Sequence, residues 1–332
     1  MRLNPRPAVR KMAPYKPPAE DRAGKIRLDF NENTVGASPK VVAALQRAIT
    51  ADALTLYPEY SQARPKLAKH FGVREDQILL TNGTDEAIQV MVNAFINDGD
   101  EVMIPEVTYA MYRFYSELAG ATVSHEITDR TRAAFLSNPN NPTGSWRERD
   151  ECIALLEKYP NIAFLFDEAY FEFSGITVLD LLDRYPNLFV SRTFSKVYGM
   201  ATMRIGCLFS NAENMAWMRK SQSPYSVNML AIIAASAAVD DREYIENYVR
   251  ESNAARDYLY MQFADMGIET FPSKGNFILF RVGDRSLAIR DTLRNRGVLV
   301  RDRSYELPGC VRVTCGTREQ AARFIAELRK IW

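Results

Sequence analysis

Apolar residues recur along this chain with two alternating periods, and their order predicts the architecture. Helical spacing marks residues 41–50, 64–71, 85–95, 111–118 and 148–158. Short apolar runs of strand character lie between them, at 77–80, 101–104, 122–124, 134–136, 163–166, 188–191 and 205–209. A strand repeats its burial every second residue and a helix about every 3.6, so the alternation predicts a mainly parallel sheet with helices on both faces. From about residue 239 the pattern changes. A long charged amphipathic helix at 242–263 precedes strands at 277–281, 298–301 and 310–315, with helices at 286–296 and 318–330. We therefore expect an α/β chain in three parts: an N-terminal segment (1–50) packed against the small part, a large ligand-binding domain (51–238), and a small C-terminal α+β domain (239–332).

Composition narrows the classes of function. The 332 residues are 47% hydrophobic and 25% charged, with 42 basic against 41 acidic side chains, a balance that gives no footprint for nucleic acid or an anionic membrane. No apolar run reaches the ~18 residues of a membrane span, and the basic, proline-rich start lacks the apolar core of a signal peptide. The cytoplasm is the expected location. Four scattered cysteines form no CxxC pair and are expected to be buried thiols, although Cys310 and Cys315 could face each other in a hairpin. His70 and His125 stand alone, so no metal is expected.

Four segments carry candidate chemistry. Thr81-Asn82-Gly83-Thr84-Asp85 joins a strand to a helix, where glycine lets the backbone approach a ligand and first-turn N–H groups suit a phosphate. A plain N-cap by Thr84 or Asp85 explains the same residues. Asn138-Pro139-Asn140-Asn141-Pro142-Thr143-Gly144 follows another strand, as a rigid turn or as amides presented to a ligand. Phe166-Asp167-Glu168-Ala169-Tyr170 sets an acid at a strand end, a helix cap or the counter-ion of a cation such as a protonated pyridine. Ser191-Arg192-Thr193-Phe194-Ser195-Lys196 places a lysine behind small hydroxyl residues, with Arg204 eight positions on.

In order and spacing these segments resemble the fold-type I pyridoxal-phosphate aminotransferases, and within them the histidinol-phosphate aminotransferases. The likeness extends over Asn31-Glu32-Asn33, Tyr57-Pro58-Glu59, Pro105 with Thr108-Tyr109, and Arg312-Val313-Thr314-Cys315-Gly316-Thr317, nearly the whole chain. The resemblance implies pyridoxal 5′-phosphate as cofactor, with Lys196 forming the Schiff base and moving the proton, a role that needs a lowered lysine pKa. It implies Asp167 at the pyridine nitrogen, Asn141 and Tyr170 at the phenolic oxygen, and Tyr109 stacked on the ring. Gly83, Thr84, Thr193, Ser195 and Arg204 would hold the phosphate, and Asp85 would be a further cofactor-binding residue. Tyr57 would reach the partner's cofactor across a homodimer. Arg312 would hold the α-carboxylate of glutamate or 2-oxoglutarate, Asn276 would lie near the substrate, and Tyr15 and Arg301 would contact a substrate phosphate. The implied reaction is ping-pong exchange of L-histidinol phosphate and 2-oxoglutarate with imidazole acetol phosphate and L-glutamate, a step of histidine biosynthesis. Alternatives are an aromatic amino acid aminotransferase, a threonine-phosphate-type decarboxylase, or a non-catalytic regulator. Three departures stand out: a short 126–134 segment without a helix, Thr34 where proline is usual, and Met200-Ala201-Thr202-Met203 where small and leucine residues are common.

Overall fold

The structure, a computed structural model, describes residues 3–14 and 21–332. Tyr15 lies outside the described residues. The first strand, β1 (Ile26–Arg27), precedes the main sheet, whose seven strands are β2 (Ile78–Thr81), β3 (Glu101–Met103), β4 (Thr122–Ser124), β5 (Thr131–Ser137), β6 (Ala163–Asp167), β7 (Leu188–Thr193) and β8 (Gly206–Phe209). Their spatial order is β2-β8-β7-β6-β5-β3-β4. Only β8 runs against its neighbours; the pairs from β7 to β4 are parallel. Strands β5 to β8 are buried almost throughout, which is why they read as continuous apolar runs rather than alternating ones. One apolar cluster covers each face: Phe164, Phe166, Phe194 and Phe209 on one side, Val102, Phe135, Leu165 and Phe189 on the other.

A second sheet orders β12 (Arg301–Asp302), β13 (Cys310–Thr314), β10 (Phe277–Arg281) and β9 (Glu269–Thr270), all antiparallel. It has its own core of Phe263, Phe280, Phe324 and Leu328, to which Leu28 from the N-terminal segment belongs. The expected strand 298–301 is two strands. Val298–Leu299, β11, pairs in parallel with β1, whereas Arg301–Asp302 crosses to β13 and sets Arg301 opposite Arg312. An apolar run shows that a strand exists but not which edge it joins.

The helix Arg242–Asp265 bridges the two cores: Ile245 and Tyr248 pack in the first, Ala255, Leu259 and Phe263 in the second. The N-terminal fifty residues divide likewise, since Val41 of the helix Pro39–Ala48 lies in the first core while Leu28 lies in the second. The helix Ala212–Ser221 was not legible, because it buries only Met215 and Met218. Residues 125–130 connect β4 to β5 without a helix. All four cysteines are free and buried. Among the described residues no helix is long and apolar enough to cross a membrane.

Candidate active site

Open α/β sheets bind ligands beyond the carboxyl ends of their strands, and here β2, β5, β6 and β7 deliver side chains to one such place. The cavity, about 220 Å³, is lined by Thr84, Asp85, Tyr109, Asn141, Asp167, Tyr170, Thr193, Ser195, Lys196 and Arg204 among others. Nine residues from the four distant segments, with Tyr109 from a fifth, therefore line one cavity. Lys196 follows the end of β7 by three positions and donates from Nζ to the carbonyl of Phe30 at 2.9 Å. Burial, reinforced by Arg312 and Arg204, holds its amine down to about 8. Lys196, Asp167 and Arg204 thus line one cavity, and the amine is buried.

Asp167 is the last residue of β6. Its Oδ2 accepts a hydrogen bond from Tyr112 at 2.7 Å, and its Oδ1 is buried without a partner. Burial pushes the carboxyl up to about 6, against the pull of the Tyr112 hydroxyl. Tyr112, fully buried and stacked on Phe135, was missed at the sequence level. Its place at i+3 from Tyr109 on the helix Ala110–Ala119 is the signal that was available.

At the other end of the cavity, Gly83 opens the helix Gly83–Phe95 with φ +74°, and a Cβ there would stand 2.7 Å from Nη2 of Arg204. Arg204 is itself left-handed, at φ 51°, and donates to Oδ2 of Asp85 at 3.1 Å. Oδ1 of Asp85 accepts from Tyr109 at 2.7 Å, so this acid ties the arginine to the aromatic wall. The hydroxyl of Thr84 is buried without a partner. Thr84 and Asp167 both line the cavity and each keeps an oxygen without a hydrogen-bond partner, Thr84 Oγ1 and Asp167 Oδ1, which a ligand that accepts at one end and donates at the other would satisfy.

Arg312 rises from β13 and donates to Asn141 Oδ1 and to the Asp29 carbonyl, the latter at 2.7 Å. Burial lowers its guanidinium to about 10. Asn276 stands behind the wall. It donates to the Asn31 carbonyl at 3.1 Å, and Asn31 in turn donates to the Tyr170 hydroxyl at 2.9 Å. Two further expected residues lie away from this cavity. Arg301 sits 5.6 Å from the centroid of Phe30 and lines a neighbouring hollow with Arg290 and Tyr305. Tyr57 is 74% exposed and leans on Tyr225, ring centroids 4.7 Å apart. Sequence reasoning also missed the buried pair Arg192–Glu168 (2.7 Å), which anchors the segments on either side of Asp167 and Lys196.

The family model described as "Aminotransferase class I and II" matches residues 23–328. The chain belongs to the class I and II aminotransferases. It is an aminotransferase dependent on pyridoxal 5′-phosphate. A histidinol-phosphate aminotransferase of Symbiobacterium thermophilum is 39% identical, over 98% of this chain and 97% of its own. Histidinol-phosphate aminotransferase 2 of Pseudomonas fluorescens Pf-5 is 34% identical, over 98% and 96%. Among solved structures, the histidinol-phosphate aminotransferase of Sinorhizobium meliloti, in complex with pyridoxal-5′-phosphate, shares the fold with TM-score 0.88 at 24% identity, over 98% of both chains.

Proposed function

We propose that this aminotransferase exchanges L-histidinol phosphate and 2-oxoglutarate for imidazole acetol phosphate and L-glutamate, in two half-reactions at one site. The observation that carries the chemistry is the buried amine of Lys196, held down to about 8, in the same cavity as the unpartnered Oδ1 of Asp167. The substrate assignment is supported by relatives of that name at 32–39% identity over nearly their full lengths.

The residues present suit the cofactor. Bound, it supplies an aldehyde that bonds to an amine and a cationic ring that withdraws electrons from the carbon losing its proton. Oδ1 of Asp167 would accept the ring N–H, and that positive charge would draw the carboxyl back toward ionisation. Arg204, Thr84 Oγ1, the Gly83 and Thr84 N–H groups, Thr193 and Ser195 would hold the phosphate, with Asp85 fixing the arginine fork. Tyr109 would cover one ring face, and Asn141 and Tyr170 would donate to the phenolic oxygen. Lys196, its amine held down to about 8 so that a neutral fraction is available near neutral pH, would take the proton from the donor's α-carbon and return it on the path to product. Arg312 would pair with the α-carboxylate of the glutamate/2-oxoglutarate couple, and Arg301, in the neighbouring hollow on the Phe30 ring, would with Tyr15 meet a substrate phosphate that extends beyond the cavity. Tyr57 serves the partner's site in a homodimer, a reading supported by its outward position beside the exposed Leu54, Leu56 and Tyr225. The cytoplasm is the compartment we assign, consistent with four free, buried cysteines.

A donor panel with 2-oxoglutarate as acceptor tests the substrate. L-Histidinol phosphate is expected to give the highest kcat/KM, and Arg301→Ala to raise its KM about 10- to 100-fold while leaving that for phenylalanine nearly unchanged. Equal effects on both donors would favour the aromatic amino acid reading.

A further inference from the structure

One carboxylate on the cavity wall has no ligand contact in the chemistry above, although its charge opposes the fall in the Lys196 value. Glu32 lines the same cavity as Lys196 and Phe30. Arg22 grips it at two points, Nη1 to Oε1 and Nη2 to Oε2, both 3.0 Å, and Arg27 Nε reaches Oε2 at 3.3 Å. A carboxylate offers about four lone-pair positions. These contacts use two on Oε2 and one on Oε1, so Oε1 keeps one acceptor position. Partial burial raises the Glu32 carboxyl, but the hydrogen bond and charge of Arg22, with those of Arg27, hold it below its usual range, so it stays an acceptor. The alternative role is a tether for the segment around Asn31. Arg22 already holds Asp29 through Nε at 3.2 Å and Nη2 at 2.8 Å, and a tether has no need to open on the cavity.

We propose that Glu32 determines specificity for the donor's side chain, its free Oε1 position accepting the ring N–H of an imidazole-bearing amine beside the Phe30 wall. Arg22 is the positioning residue. A phenyl ring makes the same apolar contacts but leaves the acceptor unsatisfied, and sites built around a hydrogen bond reject analogues that lack it more strongly than apolar pockets do. The inference rests on the imidazole-substrate reading above and deepens it.

The test compares Glu32→Ala, Glu32→Gln and Arg22→Gln with L-histidinol phosphate and L-phenylalanine as donors. Glu32→Ala is expected to raise KM for histidinol phosphate about 10- to 100-fold with kcat little changed. KM for phenylalanine and for 2-oxoglutarate, which carry no ring N–H, should stay within about twofold. Glu32→Gln keeps a carbonyl acceptor and should recover part of the loss. Calorimetric titration of L-histidinol phosphate into the Lys196→Ala protein, with and without Glu32→Ala, should show the same loss in binding without turnover. Equal losses for both donors and for 2-oxoglutarate would mark a structural tether and overturn the proposal. Should the wild type fail to turn over histidinol phosphate, the proposed function falls, and L-histidine against L-phenylalanine still judges Glu32: a contrast lost in Glu32→Ala supports it, an unchanged contrast sinks it.

Discussion

Tyr112 sets how readily Asp167 carries its charge, although it touches no expected ligand. Asp167 is buried, and burial alone favours the protonated acid; the 2.7 Å bond from Tyr112 is the strongest opposing influence within the protein. Tyr112→Phe removes that donor and leaves Oδ2 unsatisfied, at a cost of about 1.5–3 kcal/mol for a hydrogen bond to a charged group. Cofactor affinity, measured by equilibrium titration, should fall about 10-fold or more. Unchanged affinity would show that Tyr112 only fills space. The same acid gives the cofactor-free protein a pH dependence. Its folded value of about 6 lies above its ordinary 3.8, so the folded chain binds more protons in that window. This contribution is fully present below about 4 and is lost as pH rises through 6. Lys196 acts in the opposite sense: its value of about 8 lies below 10.5, so stability rises with pH between those values. Thermal melts of the cofactor-free enzyme should show both slopes, Asp167→Asn should remove the acidic one, and saturation with cofactor should weaken it.

At the scale of elements, two glycines separate loss of cofactor from loss of fold. Gly83 has φ +74° at a helix start, and a methyl group there meets only the flexible end of Arg204 at 2.7 Å. Gly199, at φ +70°, would drive a Cβ to 2.3 Å from the carbonyl oxygen of Gly36 and to 2.6 Å from its carbon, where backbone cannot yield. Gly83→Ala is therefore expected to fold with about 1–2 kcal/mol of strain and to bind cofactor much more weakly, since Arg204 must swing aside. Gly199→Ala should lower Tm far more. A similar loss of Tm in both variants would refute the distinction. These elements also show what the sequence could and could not tell. The order of strands and helices was legible because each buries a face of fixed period, and Thr84, Asp167 and Lys196 were legible as candidates because they follow strand ends and match the aminotransferase pattern together. Tyr112, Glu168 and Arg192 were hidden, because a buried phenol or ion pair acts through contacts distant in sequence, here across 55 and 24 positions. The division of 298–302 between two sheets was hidden for the same reason: partner choice is set by tertiary packing, not by local period.

At the scale of the molecule, the position of Tyr57 requires an explanation that one chain does not supply. Its ring is 74% exposed and packs on Tyr225, which is itself 55% exposed, with Leu54 at 65% and Leu56 at 67% nearby in sequence. Exposed apolar residues scattered singly are ordinary, but four large ones within and beside a site motif are the pattern of a contact surface. In a two-fold dimer the same patch serves both chains, and each Tyr57 would stand beside the other chain's cavity. Subunit mixing tests this without a structure of the complex. Lys196→Ala lacks the amine and Tyr57→Ala lacks the phenol, so a homodimer of either variant would have two defective sites. If Tyr57 crosses, a mixed dimer has one site carrying the intact Lys196 of one chain and the intact Tyr57 of the other. Random reassociation of equal amounts makes half the dimers mixed, so activity should return to about a quarter of wild type. If Tyr57 instead serves its own chain, the mixed dimer holds no site with both residues intact, and mixing gives only the average of the two parents. Reassociation must precede the assay, so recovery that grows over time after mixing and is absent with a cross-linked parent would identify the shared site as its cause.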